Sequence, residues 1–358
     1  MRLVLLTLAL MLSACGPTTA AELKVTPDRL AAALSAAKPG DTIRLRGDGW
    51  GDQVWRGVVK AAPGIVVQPD NGQDIVFSSL TVARSEGITI RGVKVKSAGP
   101  QAVKVLTAKR VVVEDCDISG DNQATDGAWV RFSEDVTFRR CRFHDLKRGL
   151  FHEINQRITV EDSDFREIWS DAIRGGKDTD GVIFRRLNIT NLHLVGSDHL
   201  DAIQFWTTNA KSATKNILIE DVVYRRGNGD PAQGVLIGNE ADLPYENVVV
   251  RRVAAVGGLY NGISLSGVIN GVVEDSFVQP MAGAVDAKGN PVDKVWIQFR
   301  GSTGGVARNN VATKFQPYQN VSDPSNEGFK KGKVAKKDDY TELDAWLAKT
   351  GVKRPAGF

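Results

Sequence analysis

The chain reads Val111-Val112-Val113-Glu114-Asp115 and then, 25 residues further on, Val136-Thr137-Phe138-Arg139-Arg140. The same apolar segment followed by charged residues recurs from residue 88 to residue 308, and the sign of the charge alternates at every step. Successive copies lie 22 to 35 residues apart. Because a short unit rich in β-branched residues cannot bury its apolar face alone, the copies must stack on one another.

The alternating charges also indicate how the copies stack. Parallel strands in register place equivalent residues about 5 Å apart. Two like charges at that distance repel by roughly 3 kcal/mol at an effective dielectric constant of about 20, and opposite charges attract by a similar amount. The pattern therefore predicts an all-β chain folded as a parallel β-helix, a solenoid with one copy in each coil. Crossovers between parallel strands are almost always right-handed, so we expect a right-handed parallel β-helix.

The composition of the 358 residues agrees with a globular chain rich in turns. Hydrophobic residues make up 42% and charged residues 25%, which excludes a disordered protein. The 36 glycines and 13 prolines follow no three-residue period, which excludes collagen. A formal charge of +4 is too small to predict nucleic acid as a partner.

The first residues predict export from the cytoplasm. Arg2 precedes an apolar run, Leu3–Leu12, which is too short to span a bilayer. Leu12-Ser13-Ala14-Cys15 resembles the bacterial lipobox, in which the cysteine is acylated, and a cut by ordinary signal peptidase near Ala20 is the alternative. We expect an extracytoplasmic monomer, in the periplasm or on the outer membrane of a bacterium, that touches the membrane only through an N-terminal lipid.

Helices are predicted at both ends of the solenoid, which needs terminal caps. Thr26–Leu34 has the composition of a capped helix, and Tyr340–Leu347 has helical apolar spacing after a basic linker, Lys330–Lys337. We therefore predict three segments. They are a lipoprotein-type signal peptide and tether at 1–20, a β-helix domain with an N-terminal capping helix at 21–325, and a basic linker with a short C-terminal capping helix at 326–358.

The N-terminal segment carries a resemblance to a known family. Leu30-Ala31-Ala32-Ala33-Leu34, followed by Ala37-Lys38-Pro39-Gly40-Asp41-Thr42-Ile43, resembles the opening of the chondroitinase B and alginate lyase branch of the pectate-lyase-like β-helix superfamily. The resemblance implies a parallel β-helix that acts on polysaccharides as a lyase, an epimerase or a glycosidase. In lyases of this kind a Lys or Arg commonly acts as the base, with an Arg or a bound Ca²⁺ on the substrate carboxylate.

Each coil carries a second short strand, whose third residue should point outward because side chains alternate along a strand. Aligning these strands predicts an outward row of eight residues: Lys104, Arg131, His152, Arg174, Gln204, Leu236, Ser264 and Gln298. Three cations and a histidine occupy the first four places and would repel one another unless an anion lies over them. Acids such as Asp126, Glu134 and Asp171 are the alternative partners for these cations.

A row of cations at the coil spacing suits a polymer that carries a carboxylate on each sugar ring. We therefore predict an acidic, uronate-containing polysaccharide as the partner. Long inserts next to the row would form the walls of a groove. Asp201 and Gln204 lie in one of these coils, and Trp206 on the same face would either stack on a sugar ring or pack under a loop.

Cleavage of a uronate by β-elimination needs a partner for the carboxylate, a base for the C5 proton and an acid for the departing O4. Arg131 and Arg174 are candidates for the first role, and Lys177, His152 and His199 are candidates for the base. We therefore predict a polysaccharide lyase. A C5-epimerase, a glycoside hydrolase and a non-catalytic polysaccharide-binding surface protein are the alternatives.

Carboxylates in the middle coils allow two other interpretations. Asp198 and Asp201, together with Asp178 and Asp180, supply the oxygen ligands that Ca²⁺ prefers, although loop carboxylates also cap turns. In a hydrolase, Asp198, Asp201 and Glu240 would be the candidate acids. Calcium is therefore the one cofactor that the sequence suggests.

Two cysteines remain once Cys15 is assigned to the lipid. Cys116 and Cys141 occupy equivalent positions on neighbouring coils. The expected spacing permits a disulfide, and it equally permits two thiols packed in the interior. Neither is a candidate nucleophile.

Overall fold

The structure is a computed structural model that describes residues 20–122, 124–196, 200–286, 288–318, 326–353 and 355. In this part of the chain the strands form two parallel sheets. The larger sheet has twenty strands: Glu22–Val25, Thr42–Leu45, Ile65–Pro69, Val76–Phe77, Glu86–Arg91, Lys94–Lys96, Lys109–Glu114, Asp117–Ser119, Glu134–Arg139, Arg142–Leu146, Gln156–Ile168, Asp180–Leu192, Thr214–Arg225, Tyr245–Val256, Val268–Glu274, Phe277–Gln279, Val306–Arg308, Val311–Ala312, Asn326–Glu327 and Lys330–Lys331. The smaller sheet has eleven: Asp52–Arg56, Ser79–Ala83, Gln101–Leu106, Asp126–Arg131, Arg148–Glu153, Ile173–Gly175, Asp201–Phe205, Gln233–Ile237, Asn261–Ser266, Trp296–Arg300 and Lys314–Tyr318.

The two sheets are the walls of a parallel β-helix, because the chain alternates between them and each strand pairs with its counterpart one coil away. The interior between the walls is filled by Val, Ile, Leu and Phe side chains that are almost fully buried. Phe143 and Phe165 on neighbouring coils, for example, stack with ring centroids 4.5 Å apart and ring planes 1° from parallel. The predicted fold class is confirmed.

The charged positions that alternate along the sequence form a ladder on the twenty-stranded sheet. Strand register places them directly above one another in this order: Arg91, Glu114, Arg139, Glu161, Arg185, Glu220, Arg251, Glu274 and Arg308. Glu114, whose side chain is fully buried, accepts a hydrogen bond from Arg91 at 2.6 Å and another from Arg139. If a coil paired with the next but one, like charges would face each other. The ladder therefore stabilises the observed order of the coils.

The second residue of each charged pair forms a corner of the coil. Asp115, Asp162 and Arg186 have φ values of 55°, 52° and 54°, in the left-handed region. The chain bends at these residues and continues along the next part of the same sheet. The charged pair therefore has two roles, since its first member pairs across coils and its second turns the chain.

The N-terminal helix, α1 (Leu30–Ala36), follows a 3-10 turn at Pro27–Arg29. It buries Leu30 and Leu34 against the first coils. Lys60 donates from Nζ to the carbonyl oxygens of Ser35 and Ala37 at 3.0 and 2.6 Å, which satisfies acceptors that the end of a helix leaves unpaired. The helix covers the N-terminal end of the core, as expected.

The C-terminal helix, α2 (Thr341–Thr350), packs on the side of the solenoid. Leu343 and Leu347 are buried against Ala254 and Phe277 of the twenty-stranded sheet. Trp346 lies 5.6 Å from the Phe277 ring, measured between ring centroids. These contacts differ from the expectation of a cap across the end of the coils. Apolar side chains on the outer face of the sheet give the amphipathic helix a closer surface to cover.

Cys116 and Cys141 are free thiols buried in the interior. Burial raises the pKa of the Cys141 thiol well above its ordinary value. Ser163 occupies the equivalent place on the next coil, where its Oγ accepts a hydrogen bond from the Cys141 N–H at 3.1 Å. The packing interpretation therefore holds in the structure.

The segment that carries the predicted signal, with Cys15, lies outside the described residues. Among the helices that are described, none has the length and apolar composition needed to cross a membrane.

Candidate functional site

The outer face of the eleven-stranded sheet carries the predicted row, with two differences. Register aligns the following residues: Lys104, Trp129, Phe151, Arg174, Gln204, Leu236, Ser264, Gln298 and Gln316. Six of the eight predicted places are therefore correct. Trp129 and Phe151 occupy the places predicted for Arg131 and His152.

His152 lies inside the solenoid. The predicted alignment of its strand is wrong by one residue, since Phe151 and not His152 points outward. His152 pairs with Val130 in register and is fully buried. Its ring lies 5.5 and 5.7 Å from the rings of Phe184 and Phe205, and within the described chain neither ring nitrogen has a hydrogen-bond partner. Desolvation lowers the pKa of His152 from 6.5 to about 3. The prediction that His152 faces the substrate is wrong.

This buried imidazole makes stability depend on pH, and His152→Leu should remove that dependence. Between pH 6.5 and about 3 the unfolded chain binds a proton on His152 that the folded chain does not, so acid destabilises the fold. The free energy of unfolding should fall by up to about 1.4 kcal/mol per pH unit below 6.5 from this residue alone. Urea unfolding of wild type and variant at about pH 7.5 and about pH 4.5 measures how much unfolding free energy each protein loses between the two pH values. This loss should be about 2 to 3 kcal/mol smaller in the variant.

His144→Leu provides a control with the opposite sign. The hydrogen bond to Asp117 at 2.9 Å raises the pKa of His144, so its stabilising contribution is present in acid and is lost as the pH rises through the folded-state pKa. That variant should therefore lose more stability in acid than at neutral pH. Parallel pH profiles for wild type and His152→Leu would contradict the interior placement of His152.

Arg131 lies on the outer face but two residues beyond Trp129, the residue of its strand that occupies the row, and it is beside Leu106 and Glu153 in register. Its Nε is 2.9 Å from Glu153 Oε1, and Lys177 Nζ is 3.3 Å from Glu153 Oε2. Glu153 therefore holds two cations, one from the preceding coil and one from the following coil. Glu153 could not be recognised from the sequence, because the predicted outward position of His152 turns the next residue inward.

Two glycines bring Lys177 to this position. A Cβ on Gly175, whose φ is 137°, would lie 1.9 Å from the carbonyl oxygen of His152. A Cβ on Gly176 would lie 2.2 Å from the Phe205 ring. Without side chains at these places the chain turns closely over the neighbouring coil, and the Ile154 N–H donates to the Lys177 carbonyl at 2.8 Å.

Arg174 lies in the row next to Gln204, as the sequence alignment predicts. Its Nη1 is 3.3 Å from Asp171 Oδ2, and its guanidinium carbon lies 4.7 Å from the centre of the Trp206 ring. Arg174 thus covers one face of Trp206, and Phe151 approaches the same ring edge-on at 6.5 Å. Trp206 packs under Arg174, so this face of the ring is not open for a sugar.

Asp171 and Asp201 come from consecutive coils and are both fully buried. The Asp201 N–H donates to Asp171 Oδ1 at 2.9 Å. Burial places both carboxylates behind the outer surface, so direct contact of Asp201 with a polymer would require the site to open. Asp171 contacts both Arg174 and the Asp201 N–H, so its position indicates that it orients this side chain and the adjoining backbone.

The other carboxylates considered for calcium are used elsewhere or lie outside the described residues. Asp178 accepts hydrogen bonds from the N–H groups of Lys211 and Ser212, and Asp180 accepts one from Asn216. Ser197, Asp198 and His199 are outside the described residues, so the structure does not test Asp198 or His199. Within the described chain no three carboxylate, histidine or cysteine side chains converge as metal ligands. The described donor set does not fit Ca²⁺.

Six residues form what we call the central cluster: Arg131, Glu153, Asp171, Arg174, Lys177 and Asp201. Its three cations and three carboxylates cancel, so the described chain does not contain the uncompensated positive row expected from the sequence. Their exposures differ sharply. The side chains of Arg131, Arg174 and Lys177 are 33%, 20% and 17% exposed, whereas Glu153 is 9% exposed and both aspartates are 0% exposed. The surface that the cluster presents to solvent is therefore cationic.

The coils, their register and the polar outer face of one sheet define the class as a parallel β-helix protein. The chain belongs to the family described as the right handed beta helix region, whose model matches residues 78–267, more than half of the chain.

Two solved structures illustrate the likeness. An alginate lyase from Paenibacillus sp. str. FPU-7 is 13% identical, and the match covers 88% of this chain and 99% of that chain with a TM-score of 0.52. A family 28 exopolygalacturonase from Yersinia enterocolitica is 11% identical, with 89% and 79% of the two chains covered and a TM-score of 0.50. A search of curated protein sequences finds no match. At these identities the likeness shows the fold alone, and a fold that carries both a lyase and a hydrolase does not determine the reaction.

Proposed function

We propose that this protein binds an acidic polysaccharide across the central cluster and cleaves it by β-elimination. The observation that carries the proposal is the exposure of Arg131, Arg174 and Lys177 above carboxylates that are almost fully buried. Guanidinium and ammonium groups that face solvent bind carboxylates through charge-assisted hydrogen bonds. Because coils are spaced about 4.8 Å apart, Arg131 and Arg174, which are two coils apart, are separated along the solenoid by about 10 Å, close to the length of two sugar rings in an extended polymer.

The similar solved proteins add a limited form of support. One is by name a lyase of alginate and the other a polygalacturonase, so the fold accommodates reactions on uronate polymers. The assignment of the reaction to this chain rests on the central cluster.

In the proposed reaction Arg131 binds the carboxylate of one uronate and stabilises the negative charge that develops there as the C5 proton leaves. Lys177 Nζ, as the free amine, takes that proton. The electron pair of the C5–H bond forms the C4–C5 double bond, and the C4–O4 bond breaks with its electrons on O4. The Lys177 ammonium then gives its proton to O4, which restores the amine without consuming water.

Lys177 must release a proton before it can act as this base. The proton leaves to solvent, and Glu153 Oε2, 3.3 Å from Nζ, keeps the resulting amine beside Arg131. His152 cannot share the role because it is buried in the interior. The proposed base is therefore Lys177, with Glu153 as the positioning residue.

The described carboxylates suit a hydrolase less well. Asp201 is fully buried, and Glu240 is exposed but accepts a hydrogen bond from the Thr207 N–H at 2.9 Å. A hydrolase needs two carboxylates that both reach the scissile bond. The described chain presents partly exposed cations and buried acids at its central cluster, which favours elimination.

Incubation with polygalacturonate, alginate, glucuronan and hyaluronan tests the reaction. We expect chain shortening together with ultraviolet absorbance from the new double bond conjugated to the carboxylate, on at least one polymer. Shortening without that absorbance would replace elimination by hydrolysis. Exchange of tritium at C5 without shortening would replace it by epimerisation, and no change on any polymer would leave a binding protein.

A further inference from the structure

A second polar surface lies on the C-terminal half of the eleven-stranded sheet, beyond the central cluster. It is a groove of about 590 Å³. Residues that line it and matter here are Leu236, Glu240, Asn261, Ser264, Gln298 and Arg300. From Arg174 to Gln298 the row climbs four coils, which corresponds to about 19 Å at the usual spacing. A polysaccharide bound at the central cluster would therefore pass over this groove within about four sugar rings.

The groove is built from neutral amide and hydroxyl groups that hold one another in place. Gln298 Nε2 donates to Asn261 Oδ1 and to Ser264 Oγ, both at 2.7 Å. Trp296 Nε1 donates to the same Asn261 oxygen at 2.9 Å. These contacts fix the orientation of both amides and leave the Gln298 carbonyl oxygen as an acceptor. Neutral acceptors and donors of this kind pair with sugar hydroxyl groups.

An aromatic pair adjoins Asn261, which lines this groove. Tyr260 and Trp296 stack with ring centroids 5.4 Å apart and planes 29° from parallel. The indole is anchored through its N–H to Asn261, and Tyr260 is 38% exposed. Unlike Trp206, whose ring is covered by Arg174, Tyr260 offers an accessible ring to the apolar face of a sugar.

The charge of the groove differs from that of the central cluster. The charged residues that line it are Glu240, Asp242 and Arg300, with a net formal charge of −1. Glu240 is exposed, whereas the carboxylates of the central cluster are almost fully buried. A sugar carboxylate would meet repulsion here, and an uncharged sugar would not.

We infer that the groove binds uncharged sugar residues, so that the substrate is a heteropolysaccharide in which neutral sugars adjoin the uronate that is cleaved. This inference rests on the proposed function, because it assigns the central cluster to the uronate. It names the class of substrate as a mixed polymer, whereas a uronate homopolymer would place carboxylates over Glu240 and Asp242.

Binding measurements on the full chain test the inference. The probes are oligosaccharides of hyaluronan, in which an N-acetylated neutral sugar alternates with glucuronate, and of gellan, compared with alginate oligosaccharides of equal length. Binding is measured by titration calorimetry on the Lys177→Ala variant, in which the substitution prevents turnover. We expect at least one mixed oligosaccharide to bind at least tenfold more tightly than the homopolymer, and Tyr260→Ala and Gln298→Ala in that background to remove most of the preference. Lys109→Ala, on the twenty-stranded sheet, should leave it unchanged.

Equal or tighter binding of the homopolymer, or no binding of any probe, would overturn the inference. So would a preference that survives both Tyr260→Ala and Gln298→Ala. Elimination products from the homopolymer without any effect of the groove variants would overturn this inference and leave the proposed function intact. Selective binding of a mixed polymer that is never cleaved would overturn the proposed function and leave the groove assignment intact.

Discussion

Lys177→Ala should lower the turnover number for uronate elimination by about 10³-fold or more, since the variant loses the group proposed as both base and acid. Lys177 Nζ lies 3.3 Å from Glu153 Oε2 and its side chain is 17% exposed, so it can reach a sugar on the outer face. Initial rates of ultraviolet absorbance measure the effect. The Michaelis constant should change much less than the turnover number, because Arg131 and Arg174 still bind the carboxylate.

Two control variants make this result specific. Lys109→Ala removes a lysine of the twenty-stranded sheet that pairs with Glu134 at 3.1 Å, and it should retain full activity. Arg131→Ala should weaken binding as well as turnover, since it removes the proposed partner of the substrate carboxylate. If Lys177→Ala keeps more than about a tenth of the wild-type rate while His199→Ala abolishes it, the base is His199 and the role given to Lys177 is wrong.

The fold was predictable because its register is encoded in charge. Glu114 sits between Arg91 and Arg139 in both the sequence pattern and the sheet, and each of the three has an apolar segment beside it. Pairing a coil with the next but one would bring like charges together at about 5 Å, which makes the pattern easy to read. The direction and order of the coils follow from that single repeated signal.

The eleven-stranded sheet has no such marker, and the errors at the site arise there. Phe132 is apolar but 52% exposed, since its strand ends at Arg131 and Phe132 begins a corner with φ 54°. If Phe132 is taken as an inward-facing residue of the strand, Arg131 is aligned with the row in place of Trp129, two residues away from its true position. A shift of one residue sends His152 to the opposite face of the sheet. Alternation alone cannot separate these registers when the corner residue is apolar.

The contact of Lys177 with Glu153 was not predictable for a different reason. It depends on the path of the chain after Ile173–Gly175, where two positive-φ glycines allow a close turn. The sequence shows that backbone can approach closely at Gly175 and Gly176. Which cation this approach delivers to which carboxylate depends on the neighbouring coil, and only the three-dimensional register supplies that.

Gly175→Ala should lower the free energy of unfolding by about 4 kcal/mol or more. Its φ of 137° lies in a region that side chains rarely adopt, and the new Cβ would lie 1.9 Å from the His152 carbonyl oxygen and 2.8 Å from its carbonyl carbon. Both neighbours are backbone atoms of a paired strand, so neither can move aside without breaking the register of His152 with Gly175. Backbone strain and overpacking therefore add at one position.

Gly72→Ala separates these two costs. Gly72 has φ 74° but no atom within 4 Å of the added Cβ, so that variant should lose only about 1 kcal/mol from backbone strain. Urea unfolding of the two variants and the wild type gives the comparison. Equal losses would contradict the close approach of the coils at Gly175.

The elimination rate gives a second comparison of the two variants. Where Gly175→Ala still folds, its rate should fall more than its folded fraction, because the same displacement moves Arg174 and Lys177, the residues on either side of the glycine turn. Gly72→Ala should lose activity only in proportion to its folded fraction, so the two variants also distinguish a positioned Lys177 from a general loss of structure.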